Sequence, residues 1–121
     1  MMNKPGATGL KRIINAFFYS MKGIKAAFKS EAAFRQEALL AIILIPLAFW
    51  LADTKIELIL MVGSVLLLMT MELVNSSIEA IVDRIGPEIH PLSGQAKDIG
   101  SAIVFFAMMI LALVWGGILL F

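Results

Sequence analysis

No cysteine occurs anywhere in the chain, and there is a single histidine, His90. The first absence excludes disulfides, iron–sulfur clusters and thiolate zinc sites. The second excludes a multi-histidine metal site within one chain. Also missing are the phosphate-binding loop G-x-x-x-x-G-K-[ST], the dinucleotide pattern G-x-G-x-x-G, and the H-R-D and D-F-G signatures. Known soluble kinase machinery is therefore absent. Charge is absent from two long stretches, Leu58 to Met71 and Ile99 to Phe121.

What is present is hydrophobic. Sixty per cent of the 121 residues are apolar, well above the share in a soluble domain, and the length suits one domain. Ile99 to Phe121 provides 23 uncharged residues, enough to cross a bilayer core of about 30 Å. Ile56 to Val82 is also long enough but carries Glu57, Glu72 and Glu79. Ala38 to Ala52 has only 15 residues. Ala32 to Phe34 extend it backwards if Arg35 snorkels, and Pro46 predicts a kink within it.

Ahead of these runs, Leu10, Ile13, Ile14, Phe17, Met21, Ile24 and Phe28 recur at helical spacing. Lys11, Lys22, Lys25 and Lys29 cluster on the other face. This is a basic amphipathic helix of the kind that lies in a membrane interface; the competing reading is a surface helix packed on a soluble core. The expected fold is thus an all-α membrane protein. It has an interfacial helix over about 8–30 and transmembrane helices over about 32–52, 56–82 and 98–120, all in one domain, 1–121. A cleaved signal peptide is not expected, because the first apolar run begins late and no small-residue cleavage site follows it.

The net charge of +1 hides an asymmetry. Residues 1–37 hold seven of the ten cations (Lys4, Lys11, Arg12, Lys22, Lys25, Lys29, Arg35) against Glu31 and Glu37. By the positive-inside rule the N-terminus is cytoplasmic, Asp53 to Lys55 is an outer turn, and Asp83 to Asp98 is a cytoplasmic loop. Its Gly86, Pro87, Pro91 and Gly94 predict an irregular, hydrated segment. Trp50 and Trp115 fall towards the outer ends of their spans, where an aromatic belt belongs. Nucleic acid is not an expected partner, and anionic lipid is. Gly63, Gly116 and Gly117 mark candidate points of close helix packing.

The informative stretch is MELVNSSIEA, residues 71–80. On one helix, Glu72, Asn75, Ser76, Glu79 and Asp83 share a narrow stripe. Glu72 and Glu79 are two turns, about 10 Å, apart, so within one helix they do not share a proton or a metal ion. Three readings remain open at this level. The stripe is a structural seam between helices, a proton or cation path, or a centre where a lipid headgroup meets a water-soluble reagent. The loop adds Glu88, His90, Lys97 and Asp98. Lysine binds phosphate as a point charge. Glu79 with Glu31 suits Mg²⁺, which takes few carboxylates plus phosphate oxygens.

Three segments, GIKAAFKSEAAFRQE (23–37), MELVNSSIEAIVDRI (71–85) and LSGQAKDIGSA (92–102), together resemble the prokaryotic integral-membrane diacylglycerol kinase family. The resemblance covers about residues 8–120. It implies transfer of the γ-phosphate of MgATP to sn-1,2-diacylglycerol, giving phosphatidate and ADP, by a homotrimer in the bacterial inner membrane with active sites at subunit contacts. It implies Glu72 as base towards the lipid hydroxyl, with Asn75 and Ser76 in support, and Glu31 and Glu79 as metal-linked carboxylates. Nucleotide contacts would be Arg12, Tyr19, Glu31, Glu79, Glu88, His90, Lys97 and Asp98. Lipid contacts would be Arg12, Tyr19, Ser20, Lys25, Phe28, Arg35, Gln36, Glu37, Trp50, Glu72, Ser101 and Trp115. A sister branch phosphorylates undecaprenol, and the AAFRQE wording is closer to the diacylglycerol branch. A non-enzymatic proton-conducting subunit is the alternative from another class.

Overall fold

A computed structural model of the protein describes residues 8–121, so Lys4 of the basic leader lies outside the described residues. Four helices follow in order: α1 (Gly9–Ser30), α2 (Ala32–Leu51), α3 (Lys55–Ile85) and α4 (Pro91–Leu120). The last three are each long and apolar enough to cross a membrane. The fold is all-α, as the hydrophobic pattern predicts.

Local chemistry explains the boundaries. Glu31 breaks α1 from α2 by taking an extended conformation, while its N–H still donates to Ala27 O at 2.9 Å. Arg35 spans that break. Its Nη1 donates to Phe28 O at 2.8 Å and Lys29 O at 3.0 Å, capping carbonyls that the end of α1 leaves open. At the start of α3, Thr54 Oγ1 accepts from Glu57 N–H at 3.1 Å, and Glu57 Oε1 accepts from Asp53 N–H at 3.0 Å. The reciprocal arrangement is close to a capping box, so Glu57 has a structural duty at the helix end.

Between α3 and α4 the irregular segment is shorter than the sequence predicts. Only Gly86 to His90 is non-helical, and Leu92 to Asp98 form the first turns of α4. Pro91 stands at the helix start, where its missing N–H and fixed φ cost nothing. His90 Nδ1 accepts from Leu92 N–H at 3.0 Å as the cap. Gly86 adopts φ +155°, a region open essentially to glycine, and so ends α3 sharply.

The core is a narrow seam. From α2 it takes Phe34, Ala41 and Ala48; from α3, Met61, Val65 and Leu68; from α4, Ala107. α3 packs most extensively on α4 and next on α2. Small residues on α2 and α4 let the helices approach closely. Gly63, Gly116 and Gly117 do not supply that closeness within the chain. A Cβ at Gly63 or Gly116 would meet nothing within 4 Å, and one at Gly117 would touch only Phe121 at 4.0 Å. The glycine at a tight contact is Gly100, which the apolar pattern does not reveal.

Pro46 lies inside α2, which is assigned as one helix from Ala32 to Leu51. On α1, Leu10, Ile13, Phe17 and Phe28 remain exposed, and Ala27 is the one buried residue of the helix. Its apolar face is not covered by the rest of this chain. That matches the interfacial reading rather than a helix laid on a soluble core.

Candidate functional site

The buried face of α3 reads Met61, Ser64, Val65, Leu68, Glu72, Asn75. The steps of three and four residues are those of one helix face. Glu72 and Asn75 thus continue the core seam, at positions where a soluble helix would carry leucine. Glu72 is 4% exposed and Asn75 8%. A buried carboxylate without partners is costly, so its neighbours define the site.

The nearest neighbour comes from α2. Glu37, 7% exposed, sits on the buried face with Phe34 and Ala41, and since α2 packs on α3 its carboxyl shares the seam with Glu72. One turn along α3, Asn75 Nδ2 donates to Glu79 Oε1 at 3.1 Å. Glu79 and Glu31 are close enough for their charges to act on Glu72. Four carboxylates therefore gather at the end of the bundle that carries the α1–α2 break. Three buried polar atoms there have no partner: Glu37 Oε2, Asn75 Oδ1 and Ser76 Oγ.

Farther along α3, towards the loop, Lys97 Nζ forms an ion pair with Asp83 Oδ1 at 2.8 Å. An open groove of about 260 Å³ lies beside it, lined by Asp83, Glu88, His90 and Lys97 among others. That volume is below the usual range for a complete small-ligand site. Asp98 is exposed next to Lys97 and outside the groove.

Not all the expected site residues meet within one chain. Arg12 stands nineteen positions before Glu31, about 28 Å along the helix. Arg12, Ser20, Lys25, Phe28 and Gln36 are exposed, and Tyr19 is half-buried and engaged in an interaction. Ser20 Oγ donates to Ala16 O at 2.8 Å, which leaves its lone pairs to accept. Ser101 is exposed beside Gly100. Trp50 and Trp115 lie at the opposite end. Trp115 Nε1 donates to Met61 O at 3.1 Å, and Met61 is eleven residues, about 16 Å, from Glu72. Trp50 is strongly exposed, thirteen residues and about 20 Å along α2 from Glu37.

Among the described residues no three His, Asp or Glu side chains are grouped closely enough to hold a metal ion alone. This donor set fits Mg²⁺, which arrives with phosphate oxygens and needs only one or two protein carboxylates.

Comparison with known proteins covers nearly the whole chain. The family model for prokaryotic diacylglycerol kinase matches residues 18–119. A Haemophilus influenzae protein named diacylglycerol kinase is 61% identical over 114 residues, covering 94% of this chain and 97% of its own. A Pseudomonas aeruginosa protein of the same name is 53% identical, covering 95% and 94%. The Escherichia coli K12 protein of that name is 49% identical, covering 89% and 88%.

Proposed function

Because the chain belongs to the prokaryotic diacylglycerol kinase family, we propose how its residues divide the work of phosphorylating a lipid alcohol. The protein is a membrane-embedded diacylglycerol kinase. The γ-phosphate of ATP passes to the free hydroxyl of sn-1,2-diacylglycerol. The hydroxyl oxygen bonds to phosphorus, the bond to the β-phosphate oxygen breaks, and phosphatidate and ADP leave.

Glu72 is the base that accepts the lipid hydroxyl proton. The observation that carries this is its burial on the core face of α3 against Glu37, at the end of the bundle that also holds Glu31 and Glu79. A diacylglycerol hydroxyl sits at headgroup depth, and the nucleotide stays in water. A base in a sheltered seam, a turn or two from the polar end, meets both demands. Positioning and charge stabilisation account for most of phosphoryl-transfer catalysis. Asn75 supports Glu79 through its 3.1 Å hydrogen bond, and Ser76 stands beside it.

Glu31 and Glu79 would hold Mg²⁺, which would supply neutralisation of the phosphate charge. Lys97 engages a phosphate, with Glu88, His90 and Asp98 at the same end of the hairpin. Arg12 and Tyr19 reach nucleotide and lipid from α1 of a neighbouring copy, in keeping with the 28 Å that separates Arg12 from Glu31 along one chain. We take the assembly to be a homotrimer, as the family resemblance implies. One chain leaves Glu37 Oε2, Asn75 Oδ1 and Ser76 Oγ unpartnered and its groove incomplete, and neighbouring helices complete both. The membrane is the bacterial inner membrane with the N-terminus cytoplasmic, a reading supported by the seven of ten cations that fall within residues 1–37.

Lipid contacts divide by depth. Ser20, Lys25, Phe28, Arg35, Gln36, Glu37 and Ser101 serve the headgroup end, and Trp50 and Trp115 meet the acyl chains deeper down. The deciding experiment supplies MgATP and a short-chain diacylglycerol to purified protein and follows phosphatidate. Glu72→Gln is expected to lower turnover by about 10²–10⁴-fold while nucleotide binding survives. An unchanged rate removes Glu72 from the chemistry.

A further inference from the structure

Asn75 presents a puzzle that its own helix does not solve. Its Nδ2 donates to Glu79 Oε1, but its Oδ1 is buried and has no conventional donor. A buried acceptor left open costs stability. Flipping the amide would be worse, because an oxygen would then face the Glu79 carboxylate. The orientation is therefore fixed by Glu79, and whatever lies against Oδ1 has to tolerate an oxygen at close range.

That neighbour is Gly100 of α4, itself buried. A Cβ built on Gly100 would overlap Asn75 Oδ1, and would also come 3.8 Å from Ile78 Cδ1. The vector on which a side chain would leave Gly100 points at the amide oxygen. In glycine that vector carries a hydrogen, so a Cα–H faces Oδ1. Such Cα–H···O contacts recur where two helices pack closely. The glycine both makes room for the amide and presents the one weakly polarised group available there.

We infer that Gly100 is a positioning residue for the kinase: its missing side chain seats the Asn75 amide, and the seated amide holds Glu79 in the orientation that receives metal and nucleotide. The inference rests on the assignment of Glu79 to the metal-linked end of the site. Gly100 touches neither substrate and acts only through Asn75. Alanine at 100 would push the amide away from α4, rotate Nδ2 off Glu79, and release the carboxylate to other rotamers. Loss of a residue that orients a metal ligand typically weakens metal binding about 10–100-fold.

Two measurements on the full-length protein in detergent micelles test this. The first is thermal unfolding of wild type, Gly100→Ala, Asn75→Ala and the double variant. With the amide removed, alanine at 100 has space, so the double variant is expected to unfold no lower than Asn75→Ala alone. If Gly100→Ala does not fold, the double variant is expected to regain folding. Additive losses, or no rescue, overturn the inference whatever the activity shows.

The second is the Mg²⁺ concentration for half-maximal phosphatidate formation, measured beside the KM for diacylglycerol. Gly100→Ala is expected to raise the former by about tenfold or more with the latter within about twofold. A change in both to the same degree would mark a merely structural effect and overturn the inference. Glu79→Gln in the same assay separates the premise from the inference. An unaltered Mg²⁺ response there removes Glu79 from the metal site, whereas an altered one beside a normal Gly100→Ala removes only Gly100.

Discussion

Lys97 Nζ lies 2.8 Å from Asp83 Oδ1, bridging the last turns of α3 and the first turns of α4. The lysine that would meet a nucleotide phosphate is thus already paired with a carboxylate. Both side chains are substantially exposed, at 45% and 67%, so the pair adds little to stability. Its significance is competition, because a phosphate has to displace or share the same ammonium. Asp83→Asn frees Lys97 and removes a negative charge near the incoming triphosphate. The KM for ATP is expected to fall by a few-fold, with thermal stability barely altered. Steady-state kinetics at two ionic strengths check this, and a raised KM would assign Asp83 a holding role instead.

Glu37 is buried on α2 and Glu72 on α3, in the seam between the two helices. Glu37→Gln converts a group that accepts or donates into an amide whose NH₂ donates permanently. It would occupy a lone pair that Glu72 needs for the lipid hydroxyl proton. Turnover is expected to drop by about tenfold or more, within the range of general-base effects. The KM for ATP should hold. Initial rates with varied ATP and varied diacylglycerol distinguish the two.

At the other end, Trp115 donates its indole N–H to Met61 O. Trp115→Phe keeps the ring and loses the donor. A single net hydrogen bond is worth about 0.5–1.5 kcal/mol, and unfolding of the detergent-solubilised protein is expected to register a loss of that size.

Thr54 caps α3, and Glu57 answers it. Thr54→Ala is expected to cost about 1 kcal/mol of stability and to leave phosphatidate formation intact. Thermal unfolding beside the kinase assay checks both. A large loss of activity would tie this turn to the site, although it lies at the far end of α3.

The absence of native cysteine permits a direct test of orientation. In intact cells, a membrane-impermeant maleimide is expected to label Asp53→Cys and to leave Ile89→Cys unlabelled until the membrane is opened. Ile89 is fully exposed, so protection would come from the bilayer. The reverse pattern inverts the topology.

Much of this fold is legible in the sequence because bilayer physics leaves few choices. Uncharged runs such as Ile99 to Phe121 have to be helical, and the spacing from Leu10 to Phe28 defines an amphipathic face. The carboxylate stripe on α3 follows from helical periodicity alone. What periodicity cannot carry is a contact between helices. The meeting of Glu37 with Glu72 depends on the register of α2 against α3, for which no local pattern exists. The same applies to Gly100: three other glycines lie in more conspicuous apolar settings, yet it is the one opposite an amide. The long loop expected over Asp83 to Asp98 is mostly helix because Pro91 begins a helix here rather than ending one. The T-x-x-E of Thr54 to Glu57 was available as a capping signal and is obscured by the outer-turn reading of those residues.

Three ties join α3 to α4 at successive heights: Trp115 on Met61, Gly100 against Asn75, and Lys97 with Asp83. Of the three, the Trp115 bond lies deepest along the hairpin, and parting the helices there would leave an indole N–H that lipid cannot satisfy. On the other side of the bundle a single extended residue, Glu31, joins α1 to α2, and α1 packs on the remaining helices least of all.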